Sequence, residues 1–311
     1  MKITVAICTW NRCALLERTL EQMTALEIPS DVSWELLIVE NNCTDDTVAV
    51  ASRFASRLPV RIVSEPTPGT SYARNRALRA ATGDYLLFTD DDVLVDRAWL
   101  AQFVAATQQF PDAVAFGGRI DPWFPQRPDD DFLAAFEDLR LGFCALNYDG
   151  PAGPLGPSEY VYTANMGVRC AAARELQFDT ELGPSPAHVG VVNDDINFVD
   201  QLRKRGHQVM WVPTMRVQHY VDPSRMTLGY LLKFASGKGR TLIRSKGIPT
   251  GTQCLGVPRW LVRKYLQARV QSIGARVIGH RVRALAHLRQ SAMLRGMIVE
   301  CRRLRRTRVA Q

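Results

Sequence analysis

The sequence predicts an α/β fold: a Rossmann-like, doubly wound sheet with helices on both faces, followed by a basic helical C-terminal extension. Three observations carry this expectation. Over the first 120 residues short apolar runs alternate with helical patterns, as strands joined by crossover helices do. The 311 residues, 46% hydrophobic and 23% charged, can bury a large core and have the composition of a soluble folded protein, not of a disordered or fibrous one. Charge is also segregated along the chain. From Arg259 onward 14 Lys and Arg face a single acid, Glu300, whereas residues 1–258 hold 25 basic and 30 acidic residues. A mildly acidic body therefore precedes a strongly basic tail, which calls for a separate electrostatic partner.

Taken in order, strands are expected over residues 3–8, 35–40, 60–63, 85–89 and 113–117, each a short apolar, β-branched run. Helices fall between them, over 13–25, 45–56, 70–81 and 97–108. Thr44 stands as the N-cap of the second, with Asp45 and Asp46 favouring its positive end. Residues 145–158 and 183–192 are dense in Gly and Pro and read as surface loops. A helix over 194–205, strands over 208–212 and 216–219, and a helix over 226–238 follow. Beyond Pro258, Val262, Leu266, Val270, Ile273 and Val277 recur at helical spacing among arginines, with Gly274 and Gly279 as interruptions. Two readings of this stripe stand level: it packs on the body, or it lies on an anionic membrane surface; nucleic-acid binding comes third.

Several classes are disfavoured. Seven cysteines, at 8, 13, 43, 144, 170, 254 and 301, are odd in number and lack paired spacing, which argues against a disulfide framework or a zinc site and for a reducing compartment. The first residues run directly into a strand pattern, and no 18-residue apolar stretch occurs, so the expectation is a cytoplasmic protein, peripheral at most on the inner face of the membrane. No GxGxxG follows the first strand and no GxxxxGK[ST] occurs, which removes support for dehydrogenase and P-loop readings. A phosphatase with an Asp nucleophile in a DxDx[TV] pattern fails at Leu94.

In a doubly wound sheet, ligands bind beyond the carboxyl ends of the strands. Polar residues gather there: Thr9, Asn11 and Arg12 after the first strand, Glu40, Asn41 and Asn42 after the second, Asp90, Asp91 and Asp92 after the fourth. Three adjacent carboxylates repel one another, and at a half-buried strand end they require compensation. A hard divalent ion, Mg2+ or Mn2+, is the economical partner, and such ions complete their shells with phosphate oxygens. The competing reading is an exposed acidic turn. Asp194 and Asp195, opening a helix, read either as partners of its positive end or as acid-base groups.

The series Cys8-Thr9-Trp10-Asn11-Arg12, Val39-Glu40-Asn41-Asn42-Cys43-Thr44-Asp45-Asp46-Thr47, Gly69-Thr70-Ser71-Tyr72-Ala73-Arg74-Asn75, Gly83-Asp84 and Phe88-Thr89-Asp90-Asp91-Asp92 resembles family-2 glycosyltransferases of the GT-A fold. The resemblance continues through Thr163-Ala164-Asn165-Met166, Phe178-Asp179, Asp194-Asp195 and Leu202-Arg203-Lys204-Arg205-Gly206, covering about residues 3–220. It implies a mixed GT-A sheet, with a catalytic domain over 1–222 (nucleotide-sugar half 1–120, acceptor half 121–222) and an extension over 223–311.

What the resemblance implies for single residues is specific. Thr9, Asn11, Arg12, Glu40 and Arg74 would surround the base, ribose and phosphates. The triplet matches the DxD motif, with Asp92 as direct metal ligand and Asp90 and Asp91 assisting at metal and ribose. Asp195 would be the base and Asp194 its support. Asn165 would offer a polar contact to sugar or acceptor, and His219 would touch metal or diphosphate. Trp123 would either pack or stack on a sugar. Three residues depart from the family's pattern: Glu40 and Asp194 exchange the usual acids, and Gln201 replaces an Arg. The implied activity is metal-dependent, inverting transfer from a nucleotide-diphosphate sugar to a hydroxyl of a glycan or lipid-linked acceptor, with Mg2+ or Mn2+, in cell-surface polysaccharide assembly. The alternative is an inactive GT-A-like scaffold whose basic tail grips membrane or nucleic acid.

Overall fold

The computed structural model describes residues 1–134, 140–186, 194–254 and 256–309. These form two compact units. The first comprises Met1–Trp123, Cys144–Pro186 and Asp194–Tyr220; the second is built from the described parts of Phe124–Phe143 and Val221–Gln311.

The first unit is a nine-stranded mixed sheet: β1 (Lys2–Thr9), β2 (Ser33–Glu40), β3 (Val60–Ser64), β4 (Tyr85–Asp90), β5 (Val93–Val95), β6 (Ala115–Trp123), β7 (Gly153–Pro154), β8 (Met166–Arg169) and β9 (Val209–Tyr220). Their spatial order is β3-β2-β1-β4-β8-β6-β9-β5, with β7 beside β9. The first four pair in parallel, as the crossover pattern requires, and β8 then runs antiparallel between β4 and β6. Helices α1 (Cys13–Met23), α2 (Thr47–Arg53), α3 (Thr70–Ala80), α4 (Trp99–Gln109), the single turn α6 (Cys170–Ala173) and α7 (Asp194–Lys204) belong to this unit.

Alternation along each strand divides the core. Ile3, Val5, Ile7, Leu36 and Ile38 face one side with Leu16, Leu20 and Phe103. Ala6, Leu37, Val39 and Phe88 face the other with Ala73, Ala77 and Phe198. Both faces are thus dry, which is why these strands read as continuous apolar runs, and each fully buried aliphatic side chain contributes about 1.5–3 kcal/mol.

Two sequence expectations are corrected here. Helix α2 starts at Thr47, not at 45: the Thr44 amide is taken by Asn11 Oδ1, and Asp45 Oδ1 instead accepts from the Thr47 amide at 3.1 Å. The two strands expected at 208–212 and 216–219 are one strand, β9, whose pairing with β6 slips between Gly118 and Arg119. Gly118 pairs with Val212 and Arg119 with Arg216, so Pro213, which has no amide to donate, falls in the irregularity. A Cβ at Gly118 would lie 2.1 Å from the Met215 carbonyl oxygen, so only glycine permits this crossing of chains. Residues 145–158 form a loop apart from β7; of the loop expected at 183–192, residues 187–192 lie outside the described residues.

The second unit holds α5 (Asp130–Ala134), α8 (Leu228–Lys246), α9 (Arg259–Val277) and α10 (Arg281–Val309). Ile243 of α8, Leu261 and Ala268 of α9, and Leu294, Met297, Ile298 and Cys301 of α10 share one core. Helices α8 and α10 meet at glycines: a Cβ on Gly239 would lie 2.0 Å from the Met293 carbonyl oxygen, and one on Gly296 2.0 Å from that of Ser236. Helix α9 runs through Gly274 without interruption. It stops before Gly279, whose φ of 80° and the bond from the His280 amide to Ala275 O (2.9 Å) close the turn into α10. Of the expected stripe, Val262 packs against this core, whereas Leu266, Val270, Ile273 and Val277 are 56%, 69%, 59% and 80% exposed, and Leu261, Ala268, Ser272 and Ala275 form the buried face.

Candidate functional site

Register alone brings the polar strand ends together. Thr9 on β1 pairs with Glu40 on β2, and Cys8 with Asp90 on β4. The chain then turns at Asn11 (φ 51°) and Asn42 (φ 66°), left-handed positions that asparagine tolerates. Asn11 Oδ1 accepts from the Thr44 and Asp45 amides at 2.7 and 3.3 Å, tying the two loops. Glu40 accepts from the Cys43 amide at 3.1 Å. Buried Asn41, which sequence reasoning placed in this group without a role, donates to the carbonyls of Glu65 and Thr67 and accepts from the Gly69 amide at 2.8 Å, and so braces the entry to α3.

The acid triplet is not an exposed turn: Asp91 and Asp92 are each 4% exposed. Arg12 Nη1 lies 3.1 Å from Asp91 Oδ1 and 2.7 Å from Asp92 Oδ2. The three-residue strand β5, missed in the sequence because it is so short, pairs Val93 with His219 on β9. This carries His219 Nε2 to 3.2 Å from Asp92 Oδ1 and 3.8 Å from Asp90 Oδ2. Asp92 Oδ1 and His219 Nδ1 are nevertheless buried with no hydrogen-bond partner.

Two hard oxygens and an imidazole nitrogen, one from each of Asp90, Asp92 and His219, lie within 4.8 Å of one another. That donor set could hold Mg2+ or Mn2+, and a buried carboxylate oxygen without a hydrogen bond fits such a ligand. Burial raises Asp90, against the pull of Arg74 and with the push of Asp92. Burial likewise raises Asp91 to about 7, opposed by Arg12 and the Thr9 hydroxyl.

A second acidic pair opens α7. Asp194 Oδ2 receives Arg74 Nη1 at 2.7 Å and Ser71 Oγ at 2.9 Å, and is 2% exposed as a residue. Among the described residues the neighbouring Asp195 accepts only from the Ile196 amide, at 2.8 Å, and it remains partly open. Desolvation, reinforced by Asp194, raises its carboxyl to about 7 although Arg74 and the Ile196 amide oppose the rise. Arg74 also pulls on Asp90, so one guanidinium serves both carboxylate groups, and its own pKa is raised by Asp194 and Asp90 against the cost of burial. Ser71 was missed by sequence reasoning; its place in the first turn of α3, one helical turn before Arg74, is the signal that could have found it.

The structure therefore brings together Arg12, Asp90, Asp91, Asp92 and His219, and beside them Arg74, Asp194 and Asp195. Asn165 does not join them. It is fully buried; its Oδ1 accepts from Trp99 Nε1 at 2.8 Å, and its Nδ2 donates to the carbonyls of Arg119 and Met215 at 3.0 and 2.8 Å. Both amide hydrogens are spent on the β6–β9 irregularity, so no donor remains for a sugar. Trp123 packs edge-on against Tyr220 at 5.3 Å with Arg18 near its face.

Residues 4–125 match the model of the family described as glycosyl transferase family 2. The succinoglycan biosynthesis protein ExoM of Rhizobium meliloti is 26% identical over 245 residues, 78% of this chain and 74% of that protein. A glucosyl-dolichyl phosphate glucuronosyltransferase of Haloferax volcanii is 29% identical over 133 residues, 42% of each chain. Among solved structures, a mannosyltransferase of Pyrobaculum calidifontis in complex with GDP-Man and Mn2+ superposes with a TM-score of 0.62 at 19% identity, covering 96% of this chain and 86% of that one. TarS 1–349 of S. aureus in complex with UDP gives 0.53 at 15% identity, covering 99% and 92%. The fold is GT-A.

Proposed function

We propose that this family-2 glycosyltransferase catalyses inverting, metal-dependent transfer of a sugar from a nucleoside-diphosphate donor to a hydroxyl of a glycan or lipid-linked acceptor, in the assembly of a cell-surface polysaccharide. The observation that carries the reading is the juxtaposition of two carboxylates and a histidine, with one buried carboxylate oxygen making no hydrogen bond. The kinship to a succinoglycan biosynthesis protein supports the pathway class, and the nucleotide sugars and Mn2+ held by the structural neighbours support the donor class.

Asp90, Asp92 and His219 would hold Mg2+ or Mn2+, which when bound supplies positive charge opposite a diphosphate. The rest of the chemistry belongs to the chain. Arg12 offsets the negative charge of Asp91 and Asp92 and keeps both ordered for donor binding. Asn11 and Asn41 fix the loops around Glu40, where the nucleoside would sit. Asp195 accepts the acceptor hydroxyl's proton as its oxygen bonds to the anomeric carbon and the bond to the diphosphate oxygen breaks; the nucleoside diphosphate leaves with that electron pair. A carboxyl titrating near 7 is well matched to this duty. Asp194, clamped by Arg74 and Ser71, holds the first turn of α7 and with it the base. The basic tail would keep the enzyme at the anionic inner face of the membrane, where a lipid-linked acceptor resides.

Thermal unfolding with a panel of nucleoside diphosphates, with and without Mn2+, tests the reading. Stabilisation by one nucleotide that requires the ion is the expected result. A flat response across the panel overturns it. A donor screen by nucleoside-diphosphate release then identifies the sugar.

A further inference from the structure

Helix α9 carries apolar residues on two opposite faces. At about 100° per residue, Leu266, Val270, Ile273 and Val277 fall within about 60° of arc, centred about 160° from buried Leu261, Ala268, Ser272 and Ala275. The outer residues are 56–80% exposed, and Ile278 just beyond them is 69% exposed. They make up five of the eleven large hydrophobic side chains exposed among the described residues, four on one helix and Ile278 just past its end. Arg259 and Arg263 extend the same stripe towards the start of the helix, and Arg269 and Arg276 border it; all four are exposed and have no acidic partner among the described residues. The tail's single acid, Glu300, is buried at 1% exposure and already paired with Arg244 at 2.9 Å and Arg303 at 2.6 Å.

We infer that this outer face of α9 is a membrane-docking surface, with Leu266, Val270, Ile273 and Val277 entering the interface of an anionic bilayer and Arg259, Arg263, Arg269 and Arg276 meeting its headgroups. Apolar residues centred on a helix face and bordered by arginines are the pattern of a helix lying in the membrane plane. A second copy of the chain is a poorer occupant: pairing two such faces brings arginines against arginines with no carboxylate to separate them. No helix of the described residues is long and apolar enough to cross a membrane, so the contact is superficial. This surface deepens the membrane part of the reading above and rests on it, but it requires neither donor nor metal.

The test is flotation of the full-length protein with phosphatidylcholine vesicles, with or without about one-third phosphatidylglycerol. The wild type is expected to float with the anionic vesicles at low salt and to be released as salt rises. Val270→Asp/Ile273→Asp is expected to lose at least tenfold in partitioning. Arg263→Gln and Arg269→Gln are expected to lose about fivefold each, while nucleotide- and Mn2+-dependent thermal stabilisation stays unchanged in every variant. Because these side chains are solvent-exposed, the variants should fold; circular dichroism checks this, and the arginine variants provide an independent arm. Vesicle binding that is absent, or that is indifferent to both sets of substitutions, overturns the inference. So does a wild-type dimer in sedimentation that Val270→Asp/Ile273→Asp converts to monomer without any vesicle binding. Failure here with intact nucleotide stabilisation leaves the catalytic reading standing.

Discussion

Arg74 and Asp194 form an almost dry ion pair, Nη1 to Oδ2 at 2.7 Å, with side chains 11% and 4% exposed. Removing one partner strands a charge. Arg74→Met and Asp194→Leu are each expected to lower unfolding free energy by about 3–5 kcal/mol. The double variant should lose much less than their sum. Urea unfolding of all four proteins measures the coupling; simple additivity would show that the pair contributes nothing as a pair.

Asp195→Asn removes a proton acceptor while keeping shape and hydrogen bonding. The expected outcome is a fall in turnover of about 10²–10⁴ with unchanged binding of the nucleoside diphosphate, read by single-turnover kinetics beside equilibrium dialysis. Retained turnover would move the base elsewhere.

The same carboxyl makes two pH predictions of opposite sense. Burial and Asp194 raise it from 3.8 to about 7, so the limiting rate should climb as pH rises through about 7, and a bound cation should shift that midpoint downward. Stability runs the other way. Between 3.8 and about 7 the folded chain binds the proton that the unfolded chain has released, so the favourable contribution is complete below 3.8 and is lost as pH rises through about 7. Comparing metal-free wild type with Asp195→Asn from pH 4 to pH 8, the former should lose more, because Asp91, raised to about 7 as well, contributes the same loss to both.

Asp92→Asn and His219→Ala each take a donor from the three-residue cluster. Mn2+ affinity, followed by the paramagnetic signal of the free ion, should fall by about tenfold or more in each. Equal Mn2+ binding by wild type and both variants would remove this cluster as the metal site.

Gly118→Ala would set a methyl 2.1 Å from the Met215 carbonyl oxygen and 2.5 Å from Asn165 Nδ2. Because a backbone oxygen cannot rotate away, destabilisation of at least about 1–3 kcal/mol is expected by chemical denaturation. An unchanged midpoint would mean the β6–β9 irregularity relaxes freely.

What the sequence made legible follows its physics. The strands β1, β2 and β4 and the helices α1 and α3 were legible because burial on both faces, or on one helical stripe, writes a local pattern. The acid triplet was legible because three carboxylates at a strand end need compensation wherever they occur. Strands β5, β7 and β8 were not, since runs of two to four residues owe their conformation to partners far along the chain. Arg12 closing on Asp91 and Asp92, and Ser71 on Asp194, span 79, 80 and 123 residues of sequence, so no local pattern names their partners. Asn165 lay in a matched motif, yet only the path of β9 reveals that its amide serves the sheet. Helix α9 left two readings level because a period of 3.6 announces an apolar stripe without saying which side of the helix the neighbours occupy.

The glycine crossing between α8 and α10 pins those two helices. With backbone against backbone at Gly239 and Gly296, neither helix can advance along the other by a residue without driving a side chain into a carbonyl. Insertions or deletions in the intervening stretch must therefore be absorbed by the connections, because α9 is itself tied by Leu261 and Ala268 into the core the pinned helices share.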